Sequence, residues 1–380
     1  MSELINKTAI RKNFQWQLLT TVSALALLGA AYGTSQARAD DDSDRPTVWI
    51  ELGGQLSRLN DAEEAFSPSL MDGRSTQFSP FPNFEKMPQT SIDEAGSISF
   101  QPENSDWVFS AAIRYGRAIS KTHVRQQTSP QAFISYRSGN RYAKYPSAEK
   151  FADTATLATE HHLIVDFQAG KDVGLGMFGK DSSSIFSLGL RFAQFGANSN
   201  IALKSNPDWH FDYKYFSGKN IPLGGTYHTN AATLLASRSF HGIGPSLSWN
   251  ASAPFMGNGQ NSEIALDWGL NAAFLFGRQR ANVHYQTTGA YHTAKYNGPH
   301  YTKRHTTSHL STDIPRSRTV MVPNVGGFAG LSFRYANAKV SFGYRADLFF
   351  GAMDGGIDKR KSENVGFYGP FANVSVGIGG

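Results

Sequence analysis

Residues 264–276 read IALDWGLNAAFLF, and residues 340–350 read VSFGYRADLFF. In both segments large apolar residues alternate with small or polar ones, so one face of each segment is mainly apolar. A helix would instead repeat its apolar positions every three to four residues. Each segment also has about the 9–11 residues with which a tilted β-strand crosses a bilayer. The pattern therefore predicts membrane-spanning strands.

The same alternation recurs along the chain and gives ten candidate strands. They lie at 47–57, 96–101, 107–117, 162–170, 184–194, 241–251, 263–277, 327–336, 338–350 and 370–379. Short connections follow the even-numbered strands, whereas long loops, among them 195–240 and 278–324, follow the first, third, fifth and seventh strands, and a medium one with Asp354-Gly355-Gly356 follows the ninth. Short periplasmic turns and long extracellular loops are typical of outer-membrane barrels. We therefore predict an all-β fold, an antiparallel transmembrane β-barrel of about ten strands (range eight to twelve), with both termini on the periplasmic side.

The start of the chain has the features of an export signal. Lys7, Arg11 and Lys12 precede an apolar stretch at 18–31, and Ala37-Arg38-Ala39 fits a small-x-small cleavage pattern. We expect residues 1–39 to be removed as a signal peptide and residues 40–380 to form a single barrel domain in the bacterial outer membrane. Because residues 1–39 hold four basic residues and one acid, the net charge of +6 falls to about +3 without them. The basic composition therefore does not indicate nucleic acid as a partner.

The composition narrows the alternatives. The chain has no cysteine, which excludes a disulfide framework and thiolate chemistry. After residue 40 no apolar run reaches the length of a spanning helix. A membrane protein of this kind must satisfy its backbone hydrogen bonds between strands, in a closed barrel. A soluble β-sandwich would also show alternation, but it gives no reason for connections that alternate between short and long.

If the apolar faces contact lipid, the opposite faces line the lumen. This assignment places eight charged residues inside: Glu51, Arg114, Asp166, Arg191, Asp267, Arg334, Arg345 and Asp347. The charges of the four carboxylates and the four guanidinium groups cancel. Two interpretations of this arrangement are open. They form an ion-pair network that fills a narrow barrel, or they line a hydrated pore with little preference between cations and anions.

The segment 278–324 is strongly basic. It contains seven cationic residues against one acid: Arg278, Arg280, Lys295, Lys303, Arg304, Arg316 and Arg318 against Asp313. The segment is either a solvated loop or a surface that contacts outer-leaflet phosphates or an external polyanion. The partners we expect are outer-membrane lipid, lipopolysaccharide and the barrel-assembly machinery, with no nucleic acid; the sequence does not determine the oligomeric state.

The sequence offers little support for metal or catalytic chemistry. His161 and His162 are adjacent and would point to opposite faces of a strand, and His305 and His309 lack a helix that would align them. Serine and histidine occur together, as at Ser239 and His241, but without the spacing of a catalytic triad. We expect no cofactor, no metal and no enzymatic activity. The predicted function is a narrow pore for passive diffusion of small solutes; a structural or adhesive surface barrel with a plugged lumen is the alternative, and a barrel hydrolase is a third.

Four segments resemble a known family. They are WIELGG at 49–54, WVFSAAIRY at 107–115, VSFGYRADLFFGAMD at 340–354 and GPFANVSVGIG at 369–379. Together they resemble the Legionella-type major outer-membrane protein family of pore-forming barrels. The resemblance implies an outer-membrane barrel that acts in passive permeation or adhesion. One departure is the C-terminus, Gly377-Ile378-Gly379-Gly380, which lacks the terminal aromatic residue usual in barrel-assembly signals.

Overall fold

The structure, a computed structural model, consists almost entirely of antiparallel strands. It describes residues 48–60, 90–102, 105–127, 151–173, 183–206, 209–216, 219–258, 262–297, 300–357 and 359–378. The strands are β1 (Val48–Asn60), β2 (Thr90–Phe100), β3 (Trp107–Gln127), β4 (Phe151–Asp172), β5 (Ser183–Asn206), β6 (Trp209–Phe216), β7 (Lys219–Asn258), β8 (Ser262–Asn297), β9 (His300–Tyr335), β10 (Ala338–Asp354) and β11 (Ser362–Ile378). The expected signal peptide at 1–39 lies outside the described residues.

Ten of these strands form a closed ring in chain order. Each strand pairs with the next along the chain, and β1 pairs with β11 from Val48↔Ile378 onward, which joins the two ends of the sheet. β6 forms a hairpin with the first part of β7, so β5 and β7 are neighbours in the ring. The prediction of a ten-stranded antiparallel barrel is therefore confirmed.

All ten predicted segments overlap ring strands; residues 47 and 379 lie outside the described residues, and residue 336 lies in a turn. The shortest of them, 96–101, is only the end of β2, which begins at Thr90. The sequence hid the first half of this strand because Asp93 and Glu94 interrupt the apolar alternation. Asp93 is nevertheless fully buried, since it contacts His162 inside the barrel.

The predicted long loops at 195–240 and 278–324 are wrong in large part. β8 and β9 pair without a register shift as far as Asn297↔His300, and β7 has 40 residues, about four times the 9–11 that cross a bilayer. The alternation changes phase in these extensions. Near the short turns the apolar side chains face outward, whereas above them the apolar residues, such as Val283 at 0% exposure, face inward. A strand search that requires one continuous apolar face ends where the phase changes.

The outer surface of the barrel carries an apolar belt over the strand segments next to the short turns. Large hydrophobic side chains are exposed there on every ring strand, for example Leu188 at 66%, Phe276 at 57% and Phe342 at 55%. On the extended segments the outward residues become polar, as at Arg280 and Ser317. Such a contiguous apolar band is characteristic of a barrel surrounded by lipid. Within the described ranges, no helix is long and apolar enough to cross a membrane.

Ring closure can be tested with cysteine pairs, because the chain has no cysteine of its own. Leu52 of β1 lies opposite Val374 of β11. We expect the double variant Leu52→Cys/Val374→Cys to form a disulfide on mild oxidation, since directly opposed Cα atoms are about 4.5–5.5 Å apart. The crosslink is measured as faster migration of the denatured, non-reduced chain.

The matched control is Leu52→Cys/Val340→Cys, in which the second cysteine lies in the same register row but one strand further around the ring, since Val340 is opposite Val374. That separation is about 10 Å, too long for a disulfide. The control should stay uncrosslinked, and absence of a crosslink in the first pair as well would contradict the closed ring.

Candidate functional site: the interior of the barrel

The turn end of the barrel contains a polar chamber. It has a volume of about 210 Å³, and Glu51, Asp267, Lys339 and Arg345 are among the side chains that line it. The Lys339 Nζ atom lies 2.6 Å from Asp267 Oδ2. The Asn373 amide and the Ser375 hydroxyl each donate a hydrogen bond of 2.9 Å to the Glu51 carboxylate. The carboxylates of the chamber are thus partnered by groups one or two strand positions away in the ring.

Two inward arginines in this region rest on aromatic rings. The Arg345 guanidinium lies 5.5 Å from the ring centroid of Phe328 and 5.1 Å from that of Phe371, and Arg334 lies 5.6 Å from the Trp49 ring. These are cation–π distances. In the part of the chain that the structure describes, neither arginine forms an ion pair within 4 Å. Aromatic faces, and not only carboxylates, therefore hold positive charge in the lumen.

Above the chamber, buried arginines contact side chains across the barrel. Arg191 of β5 donates to both oxygens of Asp166, at 2.7 and 3.0 Å, and its third nitrogen reaches the side-chain oxygens of Asn271 and Asn324. Asn271 and Asn324 lie on β8 and β9, beyond β7 in the ring. Because Arg191 is buried, with a residue exposure of 5%, these contacts fill the middle of the lumen.

A second pair spans a larger part of the ring. Arg114 Nη1 of β3 lies 2.7 Å from Asp347 Oδ2 of β10, four strand positions away, as an ion pair and not as a linear hydrogen bond. Gly326 makes room for this carboxylate, since a Cβ atom at that position would lie 2.0 Å from Asp347 Oδ1. Any side chain larger than hydrogen at Gly326 would therefore displace Asp347 from its position between the strands.

An apolar layer closes the lumen above the ion pairs. Four phenylalanine rings form its centre: Phe195, Phe240, Phe349 and Phe367, each exposed by 2% or less. The Phe195 ring centroid lies 4.7 Å from that of Phe349 and 5.7 Å from that of Phe367. Every ring strand except β2 contributes a residue to this cluster. Side chains from all sides therefore meet across the barrel and exclude water from its centre.

β2 contributes a polar group at the edge of this layer. The His162 Nε2 atom lies 3.2 Å from Asp93 Oδ2, and the His162 ring lies 3.9 Å from the Phe367 ring, centroid to centroid. Ser57 and Ser91 both donate hydrogen bonds to the Asp93 carboxylate. His161 is exposed while His162 is 2% exposed, so the expected opposite orientation of the two histidines is confirmed.

The end of β10 and the connection after it fold inward over the apolar layer. We call residues 354–357 the inner loop. Arg316 of β9 donates to Asp354 Oδ2 at 2.9 Å and to the carbonyls of Gly356 and Ile357. Arg238 of β7 donates to the Gly355 carbonyl at 3.2 Å. These contacts reach across the opening, so the inner loop covers the lumen on the side away from the short turns.

The structure places the eight predicted lumen residues as follows. Arg114 pairs with Asp347, Arg191 pairs with Asp166, Asp267 pairs with Lys339, Glu51 is held by an amide and a hydroxyl, and Arg334 and Arg345 lie on aromatic rings.

Sequence reasoning missed Lys339 and the apolar layer. The signal for the layer was present, because Leu275 and Phe349 put an apolar residue on the face assigned to the lumen. At both positions adjacent residues are all apolar, which indicates a strand that is apolar on both faces.

Several histidines lie close together on the extended segments of β7, β8 and β9. Within the described residues they do not form a metal centre. The His292 and His305 rings stack at 4.4 Å, and His305 lies on strand β9 and not in a loop. Partial burial, followed by the proximity of His305 and His228, lowers the pKa of His292 from its ordinary value. His292 is therefore neutral near pH 7.

Comparisons with known proteins give only distant likenesses. No family model matches the chain, and no curated protein matches it. Among solved structures it is similar to the transport unit of the autotransporter AIDA-I from Escherichia coli, with 10% identity, a TM-score of 0.23, and 92% of this chain and 96% of that chain covered. It is also similar to the P. putida toluene transporter TodX, with 10% identity, a TM-score of 0.21, and 88% and 90% covered. None of these comparisons supports the resemblance to the Legionella-type family.

The buried ion pair is expected to contribute strongly to stability. Asp347→Ala should lower the free energy of unfolding by about 3–5 kcal/mol, because it leaves the Arg114 charge buried without its partner. The measurement is the urea dependence of the gel shift between the folded and unfolded forms.

Asp106→Ala is the matched control. Asp106 pairs with Lys171 at 3.8 Å on the surface, where both side chains are more than half exposed. Its removal should cost at most about 1 kcal/mol. Equal losses for the two variants would contradict a structural role for the buried pair.

Proposed function

We propose that this protein is an outer-membrane β-barrel with a closed lumen, which anchors a tall extracellular sheet at the cell surface in a structural or adhesive role. The apolar layer carries the proposal. Phe240, Phe349, Leu275 and Val322 are each 0% exposed, and their side chains occupy the space through which a solute would have to pass. A layer of this kind stabilises the barrel but obstructs passive diffusion.

The apolar belt supports the membrane location. Short connections such as 336–337 lie at one end of the belt, and the long extensions of β7, β8 and β9 lie at the other. In outer-membrane barrels the short turns face the periplasm. The extended sheet would then stand outside the cell, and residues 1–39 would serve as the export signal.

Single cysteines test location and orientation in the native, cysteine-free chain. Lys204→Cys, high on the outer face of β5, should react on intact cells with a maleimide that does not cross membranes. Lys171→Cys, next to a short turn, should react only after the outer membrane is permeabilised. Leu270→Cys, which is 57% exposed in the belt, should be protected until detergent removes the lipid.

Each outcome of the labelling has a distinct meaning. Reaction of Lys171→Cys and not Lys204→Cys on intact cells would show that the barrel has the opposite orientation to the one proposed. Immediate reaction of Leu270→Cys, together with recovery of the protein in the soluble fraction, would overturn the membrane location.

A gated pore is the second candidate function. The observation that favours it is the polar chamber of about 210 Å³ at the turn end, together with an inner loop that is held by polar contacts of Arg316 and Arg238. Polar contacts of this kind can be exchanged for water when the loop moves. The pore would then be closed in this conformation and would admit small solutes only if release of the inner loop also moved Phe349 and Met353 of β10 out of the apolar layer.

Single-channel recording in planar bilayers separates the two functions. We expect no conductance steps from the folded wild-type protein. A barrel with a purely structural role should also give none for the double variant Arg316→Ala/Asp354→Ala, since the apolar layer remains. A gated pore should conduct in that variant, while Lys121→Ala, an exposed residue on the outer face of β3, should stay silent. Steps from the wild type itself would overturn the closed lumen.

A further inference from the structure

A cationic groove lies on the outer wall of the barrel, away from the lumen. It has a volume of about 470 Å³ and runs across β7, β8 and β9, with the exposed side chains of Arg278 and Arg280 along its middle strand. Arg280 is flanked in register by Ser239 on one side and by Ser317 on the other. No carboxylate lines the groove, and neither arginine forms an ion pair with a described residue.

The groove begins directly above the apolar belt. Phe276, Met321 and Ile243 lie in one register row and are 57%, 55% and 53% exposed, which makes them the last apolar row on this side. Arg278 lies two residues above Phe276 and Arg280 four residues above it. At about 3.3–3.4 Å per residue, the two guanidinium groups start about 7 and 14 Å along the strand from the edge of the belt.

The height of Arg278 matches the layer of lipid headgroups, and Arg280 starts a few ångströms beyond it, within reach of its flexible side chain. The polar layer on each side of a bilayer is about 5–8 Å thick, and strands in such barrels tilt by about 35–45°, which brings both arginines closer to the hydrocarbon edge than their distance along the strand. Their forked donors fit phosphate oxygens, and the Ser239 hydroxyl can donate to the same group, whereas the Ser317 hydroxyl already donates to the Gln279 carbonyl. Arg278 is already oriented along the wall, because its Nε donates to Ser317 Oγ at 2.6 Å.

From this arrangement we propose that the groove binds the phosphorylated headgroup of an outer-leaflet glycolipid, lipopolysaccharide, through Arg278 and Arg280. The inference rests on the proposed outer-membrane location and names a lipid partner of the outer wall. The glycolipid's acyl chains would lie against the belt row at Phe276, and its phosphate would lie between the two guanidinium groups. A phosphate anion from solution could satisfy the arginines but would have no contact with the belt.

The test uses the purified, folded full chain in non-ionic detergent. Lipid A with both phosphates and lipid A from which the phosphates have been removed are titrated separately, and native mass spectrometry gives the apparent Kd. We expect the phosphorylated form to bind at least about 10-fold more tightly. Arg278→Gln/Arg280→Gln should weaken its binding by about 30-fold, as expected for two arginines at an anionic membrane surface.

Lys204→Gln is the matched control, since it removes an exposed charge from the same outer wall but far above the belt. Its affinity should stay within about 2-fold of wild type. Equal binding of both lipid A forms, an unchanged double variant, or full competition by millimolar inorganic phosphate would each overturn the glycolipid site.

Failure of the inference can be separated from failure of the proposed location. The same preparations are added to phosphatidylcholine vesicles, and insertion is scored by co-flotation and by the gel shift on heating. Insertion without a preference for phosphorylated lipid A overturns the groove alone. Absence of insertion overturns the outer-membrane location together with it.

Discussion

The narrowness of a ten-stranded ring is the constraint on which the rest of this structure depends. Backbone hydrogen bonds between neighbours, closed by β1 and β11, satisfy the main chain without help from solvent. A ring of this size leaves an interior that side chains can nearly fill. Inward residues on opposite strands therefore contact one another directly, as Arg114 does with Asp347 and Phe195 with Phe349. Whether the lumen is open or closed is decided by those contacts.

The interior of the barrel is filled by two kinds of side chain, at two levels along the barrel axis. Next to the short turns, arginines pair with carboxylates or lie on aromatic rings, so each buried charge has a partner that offsets part of its desolvation cost. Further up, phenylalanine and aliphatic side chains fill the space without polar atoms. The two layers have different consequences. Water and ions can approach the charged layer from the chamber, whereas the apolar layer gives them no hydrogen-bonding partner.

The strands of the barrel wall differ in length, and this difference shapes both the inner and the outer surface of the barrel. β1, β2, β10 and β11 have 11 to 17 residues, while β7, β8 and β9 have 36 to 40. On the inside, the inner loop rises from the short side and is held by Arg316 and Arg238 of the tall side. On the outside, the tall strands bring Arg278 and Arg280 to the edge of the apolar belt. One sheet thus covers the lumen with its inner face and presents a cationic groove on its outer face.

The sequence by itself determined the fold class, the number of ring strands and the side on which Glu51, Arg191 and Asp347 lie. It could do so because a strand has a period of two and because lipid requires one continuous apolar face, so both appear in local sequence. The Arg114–Asp347 pair, the phenylalanine layer and the inner loop were decided only by the tertiary structure. Their partners lie on strands that are hundreds of residues apart or several positions around the ring, and no local pattern encodes which inward side chains meet. The full length of β8 and β9 could not be predicted from the sequence either. Their apolar residues move from the outer to the inner face of the barrel where the belt ends and the extended segments begin.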